Sequence, residues 1–161
     1  MATSEAFSRL IGDHGGRLRR IARVYAGRDD EDQDLYQEML FQLWRGLPTF
    51  RGDSALGTWV YRVALNTALT WRRKASRRHQ VEMPSLEEEL HPRTSGAPGS
   101  EEAILDEFLA SLNPVDRSVL ILYMEGLTNP QIAEITGTST GAIAVRIHRI
   151  KQAFKDRYVS P

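Results

Sequence analysis

Five residues between positions 59 and 73 are of types that can hold single-stranded nucleic acid. Trp59, Arg62, Asn66, Thr70 and Arg73 recur at spacings of three, four, four and three, which lines them along one stripe of a helix. An indole can stack on a base, an amide can hydrogen-bond a base edge, and guanidinium groups can hold phosphates. The basic run Arg72-Arg73-Lys74, with Arg77-Arg78, extends that footprint. Just before it, Phe50-Arg51-Gly52-Asp53-Ser54 reads as a short polar loop with an aromatic at its rim, a wall for an unstacked base. The apolar residues Val60, Val63, Ala64, Ala68 and Trp71 fall mostly on other sides of the same helix. The plainer reading makes Trp59 part of the core and the arginines merely solvated.

A second constellation runs from Asn129 to Phe154 and has the spacing of a helix-turn-helix. Two helical turns from Pro130 to Thr136 turn Ile132, Ala133 and Ile135 inward, and Gly137 reverses the chain. Ile143, Ile147, Ile150 and Phe154 then recur at four, three and four, forming one buried stripe. The opposite face carries Gly141, Val145, His148, Arg149 and Gln152, with Arg146 and Lys151 on its flanks. Small residues let a helix approach the major groove closely, and Arg can donate two hydrogen bonds to guanine or contact phosphate. The alternative is a helical hairpin with an exposed basic face.

A third pattern lies between them and the N-terminus. Leu35, Tyr36, Met39, Leu40 and Leu43 share one side of a helix, while Asp34, Glu38, Phe41 and Arg45 lie on the other. A phenylalanine among charges marks a partner surface or a stray surface aromatic.

These patterns need helices, and the sequence punctuates them. Helices are expected over about 4–26, 30–46 and 55–78, with Gly15-Gly16 a place where the first kinks or splits. In the C-terminal part Ser100 caps a helix opening on Glu101-Glu102, and Asn113-Pro114 is an N-cap followed by proline at the first helical position. Gly126 marks that helix's stop, Asn129-Pro130 repeats the start signal, and Thr138-Ser139-Thr140 offers caps for a last helix to about Tyr158. Strand signals are weak. The fold class expected is all-α: two small helical domains, 1–80 and 101–161, joined by a flexible linker at 81–100. That linker holds Pro84, Pro92, Pro98 and a Glu87-Glu88-Glu89 run, too little apolar surface to offset its ordering entropy.

The 161 residues contain 21 basic and 21 acidic side chains, but the charges are blocked rather than mixed. Residues 29–38 carry six acids and no base, and residues 39–81 carry eight bases against Asp53 alone. Such a chain can touch both phosphates and a basic protein, or simply present solvated faces. There is no cysteine, so disulfides and thiolate metal sites are excluded. No apolar run approaches a membrane span and no signal-peptide pattern is present, which fits a cytoplasmic protein.

Taken in order, the motifs resemble those of bacterial sigma factors. Asp34-Leu35-Tyr36-Gln37-Glu38-Met39-Leu40-Phe41-Gln42-Leu43-Trp44 resembles their polymerase-binding helix. Phe50 to Ser54, then Thr58-Trp59-Val60-Tyr61-Arg62-Val63-Ala64 and Asn66, is similar to the segment that reads the −10 promoter element. Leu112-Asn113-Pro114, Ile132-Ala133-Glu134 and Arg146-Ile147-His148-Arg149 are similar to the domain that reads the −35 element. The short two-domain layout resembles the extracytoplasmic-function (ECF) group.

The resemblance implies a non-enzymatic, cofactor-free transcription initiation factor. Asp34, Gln37, Glu38 and Phe41 would meet the clamp of the largest subunit of core RNA polymerase, with the flap of the second-largest subunit as a further contact. Phe50, Arg51, Asp53, Ser54, Trp59, Arg62, Asn66 and Arg73 would bind the −10 element and hold a flipped base. Thr140, Gly141, Val145, Arg146, His148 and Arg149 would contact the −35 element. The resemblance also implies restraint by an anti-sigma factor or another signal-dependent device. One departure stands out: many members carry a basic residue and a serine where this chain has Ala144 and Val145. Those two side chains can pack on thymine methyls but donate no hydrogen bonds.

Two rivals remain at this point. A conventional operator-binding regulator would explain the C-terminal helices, but neither the Trp59 stripe nor the acidic helix. An enzyme would need a site, yet His14, His79, His91 and His148 lack metal-ligand spacing, and no P-loop or nucleophile elbow is present.

Overall fold

The computed structural model describes residues 2–26, 31–82 and 96–160, and every regular element among them is helical. The chain divides into two units, Met1–Arg93 and Thr94–Pro161. The first holds α1 (Ala2–Ala26), α2 (Glu31–Gly46), a single 3-10 turn (Leu47–Thr49) and α3 (Leu56–Glu82). The second holds α4 (Glu101–Ser111), α5 (Pro114–Met124), α6 (Asn129–Thr136) and α7 (Thr140–Tyr158). The expected linker falls largely outside the described residues. Within its span, α3 runs on to Glu82, and the Ser100 N–H donates to the Ala97 carbonyl at 2.9 Å.

In the first unit α1, α2 and α3 each pack on the other two. Their shared core is Leu10, Leu18, Ile21 and Tyr25 from α1, Leu35, Met39 and Leu43 from α2, and Val60, Ala64 and Ala68 from α3. The amphipathic spacing expected of α2 is therefore realised, and burial of such side chains contributes roughly 1.5–3 kcal/mol each. The break expected at Gly15-Gly16 does not occur, because α1 is continuous through both. Gly15 is buried, and a Cβ there would lie 3.4 Å from the Tyr36 hydroxyl. A glycine weakens a helix by about 1 kcal/mol but does not break it.

The second unit is built by its caps. Ser100 accepts from the Ala103 N–H, Asn113 from the Asp116 N–H, and Ser139 from the Ala142 N–H. Gly137 ends α6 in the left-handed region at φ 73°, where a side chain would be strained. The start of α6 differs by one residue from the sequence expectation. Thr128, not Asn129, is the N-cap, and it forms a reciprocal capping box with Gln131. Asn129 and Pro130 occupy the first helical positions, where the missing proline N–H costs nothing. Ile132, Ala133 and Ile135 are buried against Ile143, Ile147 and Ile150, so the two helices and their turn share one core.

Arg117 is 4% exposed and sits at the C-terminal end of α4. Its Nε donates to the Leu109 carbonyl at 2.9 Å, and one terminal nitrogen donates to those of Ala110 and Leu112 at 3.2 and 2.8 Å. These are carbonyls that a helix end leaves without partners, and a cation suits the negative end of the dipole. At the same end of α4 the Phe108 ring meets Phe154 of α7 edge-on, with centroids 5.1 Å apart.

Candidate nucleic-acid interface

In α2 three of the four residues expected to meet a protein partner are exposed. Asp34 and Gln37 are exposed, and Phe41 is 55% exposed, a large ring left in solvent. Glu38 is half-buried, and its Oε1 accepts from the Gln42 Nε2 at 2.8 Å. Trp44 is also exposed and meets Phe7 of α1 edge-on at 5.0 Å. This extends the apolar surface beyond Phe41, and the sequence reading assigned Trp44 no contact of its own.

The loop before α3 starts at Phe50, where the 3-10 turn ends in extended backbone. Gly52 has φ 78°, which a glycine adopts without strain. Arg51 and Asp53 are exposed and Ser54 is half-buried. Phe50 does not stand apart: its ring packs on Trp59, with centroids 5.2 Å apart and planes tilted by 41°. The other neighbour of the indole is Gly46, where an added Cβ would come within 2.9 Å of Trp59 Cζ2. Trp59 is thus a half-buried ring wedged between Phe50 and the end of α2. It answers in part to both sequence readings, joined to the core yet reaching the surface.

Farther along α3 the stripe divides. Arg62 is half-buried and already engaged within the protein. Asn66, Thr70 and Arg73 are exposed. Asn66 and Thr70 open into a groove of ≈ 510 Å³ between α2 and α3, lined also by Glu38, Gln42, Val63, Thr67, Trp71 and Lys74. Trp71, expected mostly on another side of the helix from that stripe, is half-buried and lines the same groove as Asn66 and Thr70.

In the second unit Thr140, Gly141, Val145, His148 and Arg149 of α7 are all exposed, with Val145 at 50%. Arg146 is placed otherwise. Its guanidinium donates to Asp116 Oδ1 of α5 at 2.7 Å, while Asn113 Nδ2 donates to the other carboxylate oxygen at 2.7 Å. It therefore ties α7 to α5 on the flank of the exposed face. At the far end of α7, Arg157 and the Tyr158 hydroxyl both donate to Glu107 Oε1 of α4. Burial and that hydrogen bond push the Tyr158 hydroxyl's pKa up.

Among the described residues no cluster of His, Cys, Asp or Glu could hold a metal ion, and no helix is long and apolar enough to cross a membrane. His79 and His91 contribute nothing to that statement, since His91 lies outside the described residues and nothing is described of the His79 side chain.

Residues 10–78 match the family model for sigma-70 region 2, and residues 102–154 match that for sigma-70 region 4. The chain is 27% identical to the ECF RNA polymerase sigma-E factor of Haemophilus influenzae, over 95% of this chain and 87% of that one. It is 28% identical to the RNA polymerase sigma factor NccH of Alcaligenes xylosoxydans xylosoxydans, over 91% and 83%. Among solved structures, the sigma factor RpoE of Bartonella quintana, in complex with the anti-sigma factor NepR, superposes with a TM-score of 0.78 at 23% identity, covering 94% of this chain and 96% of that one. The two region matches take in most of the chain in the expected order, and the chain belongs to the ECF group of bacterial sigma factors.

Proposed function

We propose that this protein binds core RNA polymerase, recognises −35 and −10 promoter elements, and promotes DNA melting without chemistry of its own. The observation that carries the reading is the exposed polar face of Asn66, Thr70 and Arg73 on α3, the helix that follows the loop 50–54. An operator-binding regulator has no use for such a surface in a separate unit from its helix-turn-helix. In this reading the unit 1–80 acts at the clamp and at the −10 element, and the unit 101–161 acts at the −35 element, with the flap as a further contact. Asp34, Gln37 and Phe41 form the clamp-facing side, and α7 enters the major groove through Thr140, Gly141, Val145, His148 and Arg149. Arg146, tied to Asp116 through one terminal nitrogen and still partly exposed, borders that face as a further −35 contact. An anti-sigma factor is a fitting partner, given the complex in which the Bartonella quintana protein was solved.

Melting without ATP requires the protein to hold bases as they leave the stack, which costs a few kcal/mol per base. Asn66 offers an exposed amide for an extruded base. The test is reconstitution with core polymerase on a promoter found by mapping transcript starts after overexpression. Wild-type holoenzyme should render −10 thymines reactive to permanganate, and Asn66→Ala should lose that reactivity while keeping core binding. Absence of any transcription or melting by the wild-type holoenzyme would sink the reading and favour the operator-binding class.

A further inference from the structure

The cap of α5 and the exposed face of α7 are joined by one run of hydrogen bonds. Asn113, the N-cap of α5, uses both ends of its side-chain amide on Asp116. Its Oδ1 accepts from the Asp116 N–H at 2.9 Å, and its Nδ2 donates to Asp116 Oδ2 at 2.7 Å. The other carboxylate oxygen, Oδ1, accepts from Arg146 Nη1 at 2.7 Å. Capping alone needs only the first of these bonds. The second fixes the rotation of the carboxylate, and the third carries that fixed direction across thirty positions to α7.

A guanidinium holds five N–H donors in a rigid plane, so one bond to Asp116 sets the direction of the rest. Arg146 keeps 37% of its side chain exposed while paired, against 22% for Asp116. Among the described residues its remaining N–H groups have no further protein partner. Ion pairs this near the surface contribute little to folding. What the arrangement supplies is direction.

We propose that Asp116, held by Asn113, is a positioning residue that aims Arg146 at one backbone phosphate on the wall of the −35 major groove and so fixes the register of α7. The inference rests on the −35 recognition proposed above and adds to it the residues that set the helix in place. Arg146 stands on the flank of the face formed by Gly141, Val145, His148 and Arg149, and the flanks of a helix lying in a major groove meet the phosphate walls. Phosphate contacts carry no sequence information directly, but they fix the register in which other side chains meet the bases. The carboxylate also places a negative charge beside the contact, which weakens the pull of Arg146 on a phosphate in any other register.

The test uses the full chain with core polymerase on a promoter duplex. Wild-type holoenzyme should prefer this duplex to one with a scrambled −35 element; with no such preference the −35 reading fails, and the proposal with it. Neutral methylphosphonates are then walked through both strands of the −35 element. One position should weaken wild-type binding on the order of 10-fold, the lower end for a hydrogen bond to a charged group, and Arg146→Gln should be indifferent to that position alone. Asp116→Ala leaves Arg146 in place, yet that position should no longer stand out from its neighbours. Its holoenzyme should also lose preference for the promoter, and bind the scrambled duplex with a salt slope steeper by up to about 0.9, one freed phosphate contact. Asn113→Ser keeps a cap and removes only the donor to Oδ2, so it should keep the wild-type urea midpoint and still blur the same position. Asp116→Asn, which keeps the size and an acceptor, should fall between wild type and alanine. If Asp116→Ala is too unstable to assay, Asn113→Ser and Asp116→Asn carry the same comparison. In the Arg146→Gln background, Asp116→Ala should change promoter preference no further. The proposal is overturned, with the −35 reading intact, if the Asp116 and Asn113 variants reproduce the wild-type methylphosphonate profile. It is equally overturned if Asp116→Ala lowers promoter preference by the same factor with and without Arg146, since Asp116 then only braces α5 against α7.

Discussion

Replacing Arg117 by Met should detach α4 from the rest of the second unit. The guanidinium donates three hydrogen bonds, at 2.8–3.2 Å, to the carbonyls of Leu109, Ala110 and Leu112. Hydrogen bonds to charged groups contribute roughly 1.5–3 kcal/mol each, but three on one side chain are not additive. The wild-type protein also bears the cost of burying the charge, which methionine avoids. A net loss of about 2–4 kcal/mol is therefore expected, or a drop in Tm on the order of 10–20 °C for a unit of this size. Arg117→Lys should fall between, since an ammonium keeps the charge but not the planar fork. All three tryptophans, Trp44, Trp59 and Trp71, lie in the first unit, so their fluorescence isolates it. Urea unfolding followed by far-UV circular dichroism should show the early loss, while the tryptophan transition stays put. Hydrogen exchange should place the lost protection in residues 101–111. A variant within about 0.5 kcal/mol of wild type, with α4 still protected, would mean that the Arg117 bonds merely replace equally good bonds to water.

Three further outcomes are expected. Asp34→Lys with Phe41→Ala should weaken core polymerase binding at least ~10-fold in a competition assay with unchanged thermal stability, because both residues are exposed and exposed charges contribute little to folding. Val145 offers a half-exposed isopropyl group on the face of α7; replacing −35 thymines one at a time by deoxyuridine should cost about fourfold in holoenzyme affinity at one position, at roughly 0.8 kcal/mol per buried methyl group, and Val145→Ser should erase that sensitivity. His14 has its pKa lowered by burial, with an Nδ1 that has no partner and a ring edge-on to Tyr61. The unfolded state then binds the proton more readily, so the first unit should be fully stable above about pH 6.5 and lose stability as pH falls below it, and His14→Phe should flatten that slope in urea midpoints read by tryptophan fluorescence.

The helices were legible wherever a cap or a period stated them. Ser100, Asn113, Gly137 and Ser139 act as their residue types suggest, and the isoleucine stripe of α7 is buried as its spacing requires. Where a local pattern leaves the geometry open, neighbours decide it. Thr128 and Asn129 are both good caps, and only the Gln131 side chain folding back selects Thr128. Arg146 sits in a motif that suggests DNA contact, and Asp116, thirty positions earlier, engages it. No periodicity could reveal Arg117 as a cap for α4, because that role depends on the α4–α5 turn bringing the guanidinium back over the helix end.

The same bookkeeping of cations bears on how the protein meets DNA. Six basic residues follow position 108, but Arg117 is spent on α4 carbonyls, Arg146 on Asp116 and Arg157 on Glu107. Lys151 lies over the Tyr123 ring at 4.5 Å, so it too is partly committed to the fold. Arg149 and Lys155 remain on the exposed surface of α7. If about two to four phosphates are neutralised, the slope of log affinity against log salt is about −2 to −4, shallow for a protein that reads duplex DNA. The free chain, with 21 bases balanced by 21 acids, should accordingly bind promoter duplex only at micromolar or weaker affinity at physiological salt. Binding should tighten when polymerase supplies the remaining phosphate contacts and fixes both units on one duplex, since linking two weak sites multiplies their effect. Fluorescence anisotropy across a salt series, with and without core polymerase, measures both quantities. Nanomolar binding by the free chain would mean that the committed arginines let go of their partners for DNA, and that the division between residues that hold the fold and residues that read the promoter is wrong.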